Sequence, residues 1–298
     1  MYCIYIRIGL EITFEMMTKN EDICETTRRV LATSGNDDQR SIEWLRARAS
    51  MLTASDVYSA MGCNGASVRS HIIKNKVALL RSDPSSDPSS DPSSDRSSDP
   101  NARKESSPAL DWGVKSEDHI RRRLETKFGV RIFEVGLVKH VDYPWLGASI
   151  DGITAHDSIS DEYGLIKGGT VVEIKAPWIR PIVDGQIPDV YFAQVQVQLA
   201  CLDLEHAMYV EYRHCWPSSE QFNIVRIDRD RDWFERHLPD MCRFHDDLSQ
   251  CLNVKTEEDG VCYMSKRCSR RSSVSFIDGL YDQQPKSTTT RVRRTIEA

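Results

Sequence analysis

Apolar and polar positions alternate, or recur at helical spacing, over most of the chain between residues 40 and 252, and the period changes from segment to segment. Residues 40–49 (RSIEWLRARA) predict a helix with Ser41 as its cap and Trp44 and Leu45 on its apolar side. Thr53-Ala54-Ser55-Asp56 predicts the start of a second helix through Met61, closed by Gly62 and Gly65, and residues 67–80 predict a third. Residues 110–128 read as a longer helix ending at Gly129. Residues 131–141 and 145–154 predict a hairpin turning near Asp142-Tyr143-Pro144, and Val171-Val172-Glu173-Ile174-Lys175 a further strand. A helix over 189–203, strands near 206–213 and 221–228 and a long helix over 231–252 complete the series. Residues 15–35 are polar with weak helical periodicity, and 155–169 read as a loop.

Two stretches carry no such pattern. Residues 82–100 (SDPSSDPSSDPSSDRSSDP) repeat Ser, Asp and Pro with no apolar side chain to offset the entropy of ordering, which predicts a disordered insertion over 82–107. Residues 256–298 read as a disordered basic tail, in which Lys266-Arg267 and Arg270-Arg271 would suit phosphate contact or nuclear import. The predicted organisation is an N-terminal extension over 1–35, one α/β domain over 36–255 and the tail.

Within this frame, the strand alternation places Glu173 and Lys175 on one face and Val172 and Ile174 on the other. Asp151, in Ser149-Ile150-Asp151-Gly152, lies near the end of the preceding predicted strand. By itself Asp-Gly is a common turn pair. Two carboxylates beside an ammonium suit a divalent cation and a water that must lose a proton, as in phosphodiester cleavage. On the 110–128 helix, Leu124 and Phe128 fall within about 20° of Glu117, so Glu117 projects from the apolar face. Gln194 and Gln198 share one stripe of the 189–203 helix, either a solvated polar face or a neutral row that can hold a phosphate or a water. Arg46 and Arg48 precede a predicted helix start near Ser55, where unpaired N–H groups favour an anion.

Composition changes this picture little. The net charge of −6 disfavours a polyanion-binding surface all round but leaves room for a local basic groove. Nine irregularly spaced cysteines and no secretory pattern point to an intracellular protein with reduced thiols. No apolar run reaches membrane-spanning length, and Met16 and Met17 leave an internal start open.

The ordered motifs Trp44-Leu45 with Arg48 and Leu52-Thr53-Ala54-Ser55, Trp112-Gly113 with Glu117, Leu146 to Gly152, Val172 to Pro177 and Tyr191 to Gln196 resemble the YqaJ viral recombinase family. That family is the λ-exonuclease-like branch of the PD-(D/E)XK nucleases, and the resemblance runs from about Arg40 to Arg213. It implies a restriction-endonuclease-like core, a central mixed β-sheet flanked by helices. It implies Mg²⁺ or Mn²⁺ held by Asp151, Glu173 and the main-chain carbonyl of Ile174, with Glu117 assisting directly or through water. Lys175 would orient or deprotonate the attacking water, and Gln194 would position the nucleophile or scissile phosphate. Arg48, Ser55 and Ser149 would hold a terminal 5′-phosphate. The implied activity is exonucleolytic, 5′ to 3′ on linear duplex DNA, in recombination or repair. An inactive DNA-binding adaptor and an endonuclease of the same superfamily are the alternatives. Duplex DNA ends, a ring-shaped homotrimer and a single-strand-annealing protein are the implied partners, with no membrane. Ile150 stands where the family usually has proline, and Ala176 where cysteine is frequent. Some relatives carry an iron–sulfur cluster; Cys242, Cys251, Cys262 and Cys268 lack a tight pair and argue against one here.

Overall fold

The computed structural model describes residues 23–35, 41–82, 108–215 and 219–253. Among these residues the α-helices run α1 Glu25–Thr33, α2 Ile42–Ala49, α3 Val57–Ala60, α4 Ala66–Arg81, α5 Pro108–Phe128, α6 Asp189–Leu202 and α7 Arg231–Asn253. Eight strands run β1 Leu52–Thr53, β2 Ile132–Lys139, β3 Leu146–Thr154, β4 Ser158–Ser160, β5 Gly164–Ile166, β6 Val171–Lys175, β7 His206–Cys215 and β8 Ser219–Asp228. β1, β3, β6, β7 and β8 lie in that order in one sheet, with β2 added beside β3. β1–β3 and β6–β7 are parallel, and the remaining pairs of this sheet are antiparallel, so the sheet is mixed as expected.

Helices cover both faces. The larger core holds Val57, Ile73, Ile150, Val195, Leu199, Phe244 and Leu248. It lies between the sheet and α3, α4, α6 and α7. The smaller core pairs Ile120, Leu124 and Phe128 of α5 with Val172, Ile174, Met208 and Val210 of the other face. Full burial of each of these three α5 side chains contributes about 1.5–3 kcal/mol before entropic costs. α6 has no solvated side: every residue from Ala193 to Leu202 is buried. It therefore runs through the interior rather than across a surface.

Several local expectations hold for the predicted physical reason. Ser41 caps α2 by accepting from the Trp44 N–H, and Gly129 ends α5 at φ +64°, a conformation natural to glycine. Two differ. The predicted 53–61 helix is instead β1, a 3₁₀ turn over Ala54–Asp56 and the single turn α3, because β3 claims the backbone of Leu52 and Thr53. The expected 155–169 loop contains the β4–β5 hairpin, paired Ser158↔Ile166 to Ser160↔Gly164. Its cross-strand pair Ile159 and Leu165 is exposed, so no buried alternation marks it. Asp151-Gly152 lies within β3, on the strand predicted over 145–154, and a Cβ on Gly152 would collide with the Ile132 side chain. The basic tail and residues 83–107 of the predicted insertion lie outside the described residues.

Candidate active site

A break in the sheet creates the site. Gly147 of β3 pairs with Lys139 of β2 on one side and Thr53 of β1 on the other. Ile153 pairs with Phe133 of β2 and, on the other side, with Val171 of β6. β1 and β6 thus share one edge of β3, β1 at Leu146–Gly147 and β6 at Gly152–Ile153. Among the described residues no strand pairs with that edge between them, over Ala148–Asp151. Ser149 and Asp151 stand in the gap.

Side chains replace the missing ladder there. The Ile174 N–H donates to Asp151 Oδ2 at 2.7 Å, and the Ser149 carbonyl accepts from Gln198 Nε2 at 3.1 Å. An extended residue directs its N–H and C=O to the same edge, so the Ile174 carbonyl also faces the gap.

Glu173 is only 1% exposed and is surrounded by donors. Lys175 Nζ donates to Oε1, Gln194 Nε2 donates to Oε1 at 2.6 Å and Gln198 Nε2 to Oε2 at 2.6 Å. Neutral amides on a buried helix satisfy the carboxylate without adding a counter-charge. Gln198 completes this arrangement; the sequence places it on the Gln194 stripe but gives the site role to Gln194 alone. Its signal was its position one turn beyond Gln194. Gln196 belongs elsewhere: it donates to the Asp228 carbonyl and accepts from the Asp230 N–H, joining β8 to α7.

Electrostatics separate the three charged groups. Burial pushes the Asp151 carboxyl well above the usual carboxylate range, and the nearby charges of Glu173 and Glu117 push it further. The Lys175 ammonium and the Ile174 N–H oppose them. Glu117 on α5 is therefore near enough for its charge to act on Asp151. Burial favours the neutral amine of Lys175, but Glu173 and Asp151 outweigh it and hold the ammonium above its ordinary value. At neutral pH Lys175 is a cation.

Arg48, Ser55 and Ser149, the residues expected to hold a terminal phosphate, come together beside this gap. Arg48 Nη2 donates to Ser55 Oγ at 2.9 Å and Nη1 to Ser149 Oγ at 3.3 Å. Its guanidinium lies 4.4 Å from the centre of the Trp44 ring. Burial lowers its pKa, while Asp56 and Glu173 pull it back. Lys76 braces the pocket from α4, pairing with Asp56 at 2.9 Å and donating to the Arg48 carbonyl at 3.1 Å. Ser149 links this pocket to the carboxylates, because its side chain meets Arg48 and its carbonyl meets Gln198.

The donor set fits a hard divalent cation. Two crowded carboxylates, one of them driven toward protonation, would be relieved by positive charge. Gln198 Oε1 is buried with no hydrogen-bond donor among the described residues, an unused acceptor beside Glu173. No cluster of three or more His, Cys, Asp or Glu side chains among those residues could ligate one ion. Two carboxylates are enough for a hard cation that completes its shell with waters and substrate phosphate.

Two crystal structures of an alkaline exonuclease, LHK-Exo from Laribacter hongkongensis, share the fold. One matches at 22% identity and a TM-score of 0.53, covering 78% of this chain and all of the other. The second, in complex with dAMP, matches at 22% identity and 0.55 over the same shares. No curated protein matches the sequence at a significant level. The sequence model of the YqaJ-like viral recombinase domain matches residues 43–205, a span that contains every site residue above, and the chain belongs to that family.

Proposed function

We propose that this protein is a divalent-metal-dependent exonuclease that degrades linear duplex DNA from a 5′-phosphorylated end. The observation that carries the reading is the single gap in the sheet, in which Asp151, Glu173 and Lys175 adjoin the Arg48–Ser55–Ser149 pocket. Family membership and the fold shared with an alkaline exonuclease support it.

Asp151, Glu173 and the Ile174 carbonyl would hold the ion, with Glu117 acting from α5. Bound Mg²⁺ or Mn²⁺ would supply Lewis-acid polarisation of the phosphate and a water of lowered pKa. Lys175, which donates to Glu173, would clamp the scissile phosphate and meet charge developing on it. Gln194 and Gln198 fix the Glu173 carboxylate. Arg48, Ser55 and Ser149 grip the terminal phosphate and set which bond reaches the carboxylates.

The test is digestion of end-labelled linear duplexes with and without Mg²⁺. Metal-dependent loss of 5′-phosphorylated duplex, much faster than 5′-hydroxyl duplex, is expected. Metal-independent cleavage, or attack on closed circles at the same rate, would contradict the proposal.

The amides make a second prediction. Gln198→Leu removes a donor from a buried carboxylate, a loss of about 1.5–3 kcal/mol, and should reduce nuclease turnover at least tenfold. Gln196→Leu should lower the melting temperature through the lost β8–α7 link while the folded enzyme keeps its turnover. Unchanged turnover in Gln198→Leu protein would remove Gln198 from the site.

A further inference from the structure

The segment joining β6 to α6, residues 176–188, presents apolar side chains to solvent beside the site. Trp178 is 55% exposed, Ile179 84% and Val183 47%. The segment is nonetheless anchored from beneath. Glu211 of β7, 1% exposed, pairs with Arg180 and accepts from Tyr209 Oη at 2.8 Å and Asn223 Nδ2 at 3.0 Å. Asn223 also donates to the Gln186 carbonyl at 2.8 Å and accepts from the Gly185 N–H at 2.9 Å. Arg213 donates to the Arg180 carbonyl. A buried polar network thus holds an exposed apolar tip in a fixed place.

That place adjoins the chemistry. Trp178 is three residues beyond Lys175, so their Cα atoms are at most about 11 Å apart. Lys175 and Arg180 both lie over the Tyr191 ring, at 5.3 and 5.7 Å from its centre. Trp112 of α5, five residues before Glu117, packs edge-on against Trp178 with ring centres 5.8 Å apart. Trp112 therefore comes from the helix that supplies Glu117, and Trp178 from the segment that directly follows the Glu173–Lys175 strand. An exposed indole close to the scissile-phosphate residues suits a nucleobase, and base–aromatic stacking tolerates any sequence.

We infer that Trp178, buttressed by Trp112, is a stacking platform for a base next to the cleaved phosphate. This rests on the nuclease reading above. Arg180, two residues beyond Trp178, is pinned by Glu211 and so fixes the segment that carries the indole.

Full-length wild-type, Trp178→Ala and Trp178→Phe proteins would be compared, with Mg²⁺, on two 5′-phosphorylated duplexes. One is ordinary DNA; the other has abasic residues at its first two 5′ positions. Trp178→Ala should lose about ten- to a hundredfold in kcat/KM on ordinary DNA, with Trp178→Phe close to wild type. On the abasic duplex wild type and Trp178→Ala should converge, since no base remains to stack. An equal loss on both duplexes, or none on either, overturns the platform. So does loss of a wild-type oligomer in Trp178→Ala protein, which would assign this face to a second copy. Wild-type protein that digests neither duplex overturns the nuclease reading itself, a separate result.

Discussion

Asp151→Asn protein is expected to lose metal-dependent DNA hydrolysis by at least a thousandfold, yet to melt at a higher temperature than wild type when metal is removed. Burial, Glu173 and Glu117 all favour the protonated Asp151 carboxyl. Keeping it ionised at neutral pH therefore costs folding free energy. Asparagine fits the same space. Its amide oxygen can accept the Ile174 N–H that Asp151 Oδ2 now accepts, and its amide nitrogen places a donor near Glu173. Each kcal/mol relieved raises the melting temperature by about 2–4 °C for a domain of this size. The pH dependence has a definite sign. The folded carboxyl holds its proton to a higher pH than the unfolded one, so the native state binds more protons between the two values. Stability attributable to this group falls as pH rises through that window. The advantage of Asp151→Asn should be small near pH 4 and larger at pH 8. Calorimetry in a chelator at both pH values measures it. Added Mg²⁺ should then stabilise wild type and not the variant, because only wild type keeps the ligand. A variant less stable than wild type at pH 8 without metal would show that Asp151 is well satisfied as an anion.

What the sequence conveyed follows the range of the forces involved. Side-chain alternation is strand geometry, so Val171–Lys175 alone placed Glu173 and Lys175 together and sent Val172 and Ile174 to the other core. The Glu117 face followed equally from helical rotation, and Ile120, Leu124 and Phe128 are fully buried beneath it. The gap was not legible. It arises because β1 and β6 divide one edge of β3, a pairing between segments more than 90 residues apart for β1. The same pairing turned the predicted 53–61 helix into a strand, a 3₁₀ turn and α3. Ser55 nevertheless reaches Arg48, with a hydroxyl in place of the helix terminus that the sequence suggested. The α6 glutamines were ambiguous for another reason. A helix buried all round has no polar face to contrast with an apolar one, so the Gln194–Gln198 stripe could equally be read as a solvated face until its partners are known.

Arg48→Lys should erase the preference for 5′-phosphorylated ends while leaving the chemical step in place. Arg48 spans two hydroxyls with separate guanidinium nitrogens, Nη2 to Ser55 and Nη1 to Ser149, and stacks on Trp44. The planar fork matches a phosphate that can displace or share these hydroxyls. A lysine ammonium is a single point of charge that cannot bridge them or stack in the same way. Retaining the positive charge preserves the field near Glu173, so the comparison isolates geometry. About a hundredfold loss in kcat/KM is expected on 5′-phosphorylated duplex, of the order of two charge-assisted hydrogen bonds. On 5′-hydroxyl duplex the change should be under threefold, so discrimination between the two ends collapses. Measuring both substrates with one protein preparation controls for folding, since a destabilised pocket would slow both alike. An equal loss on both ends would make Arg48 a brace for the turn after β1, and would move terminal-phosphate recognition away from the gap.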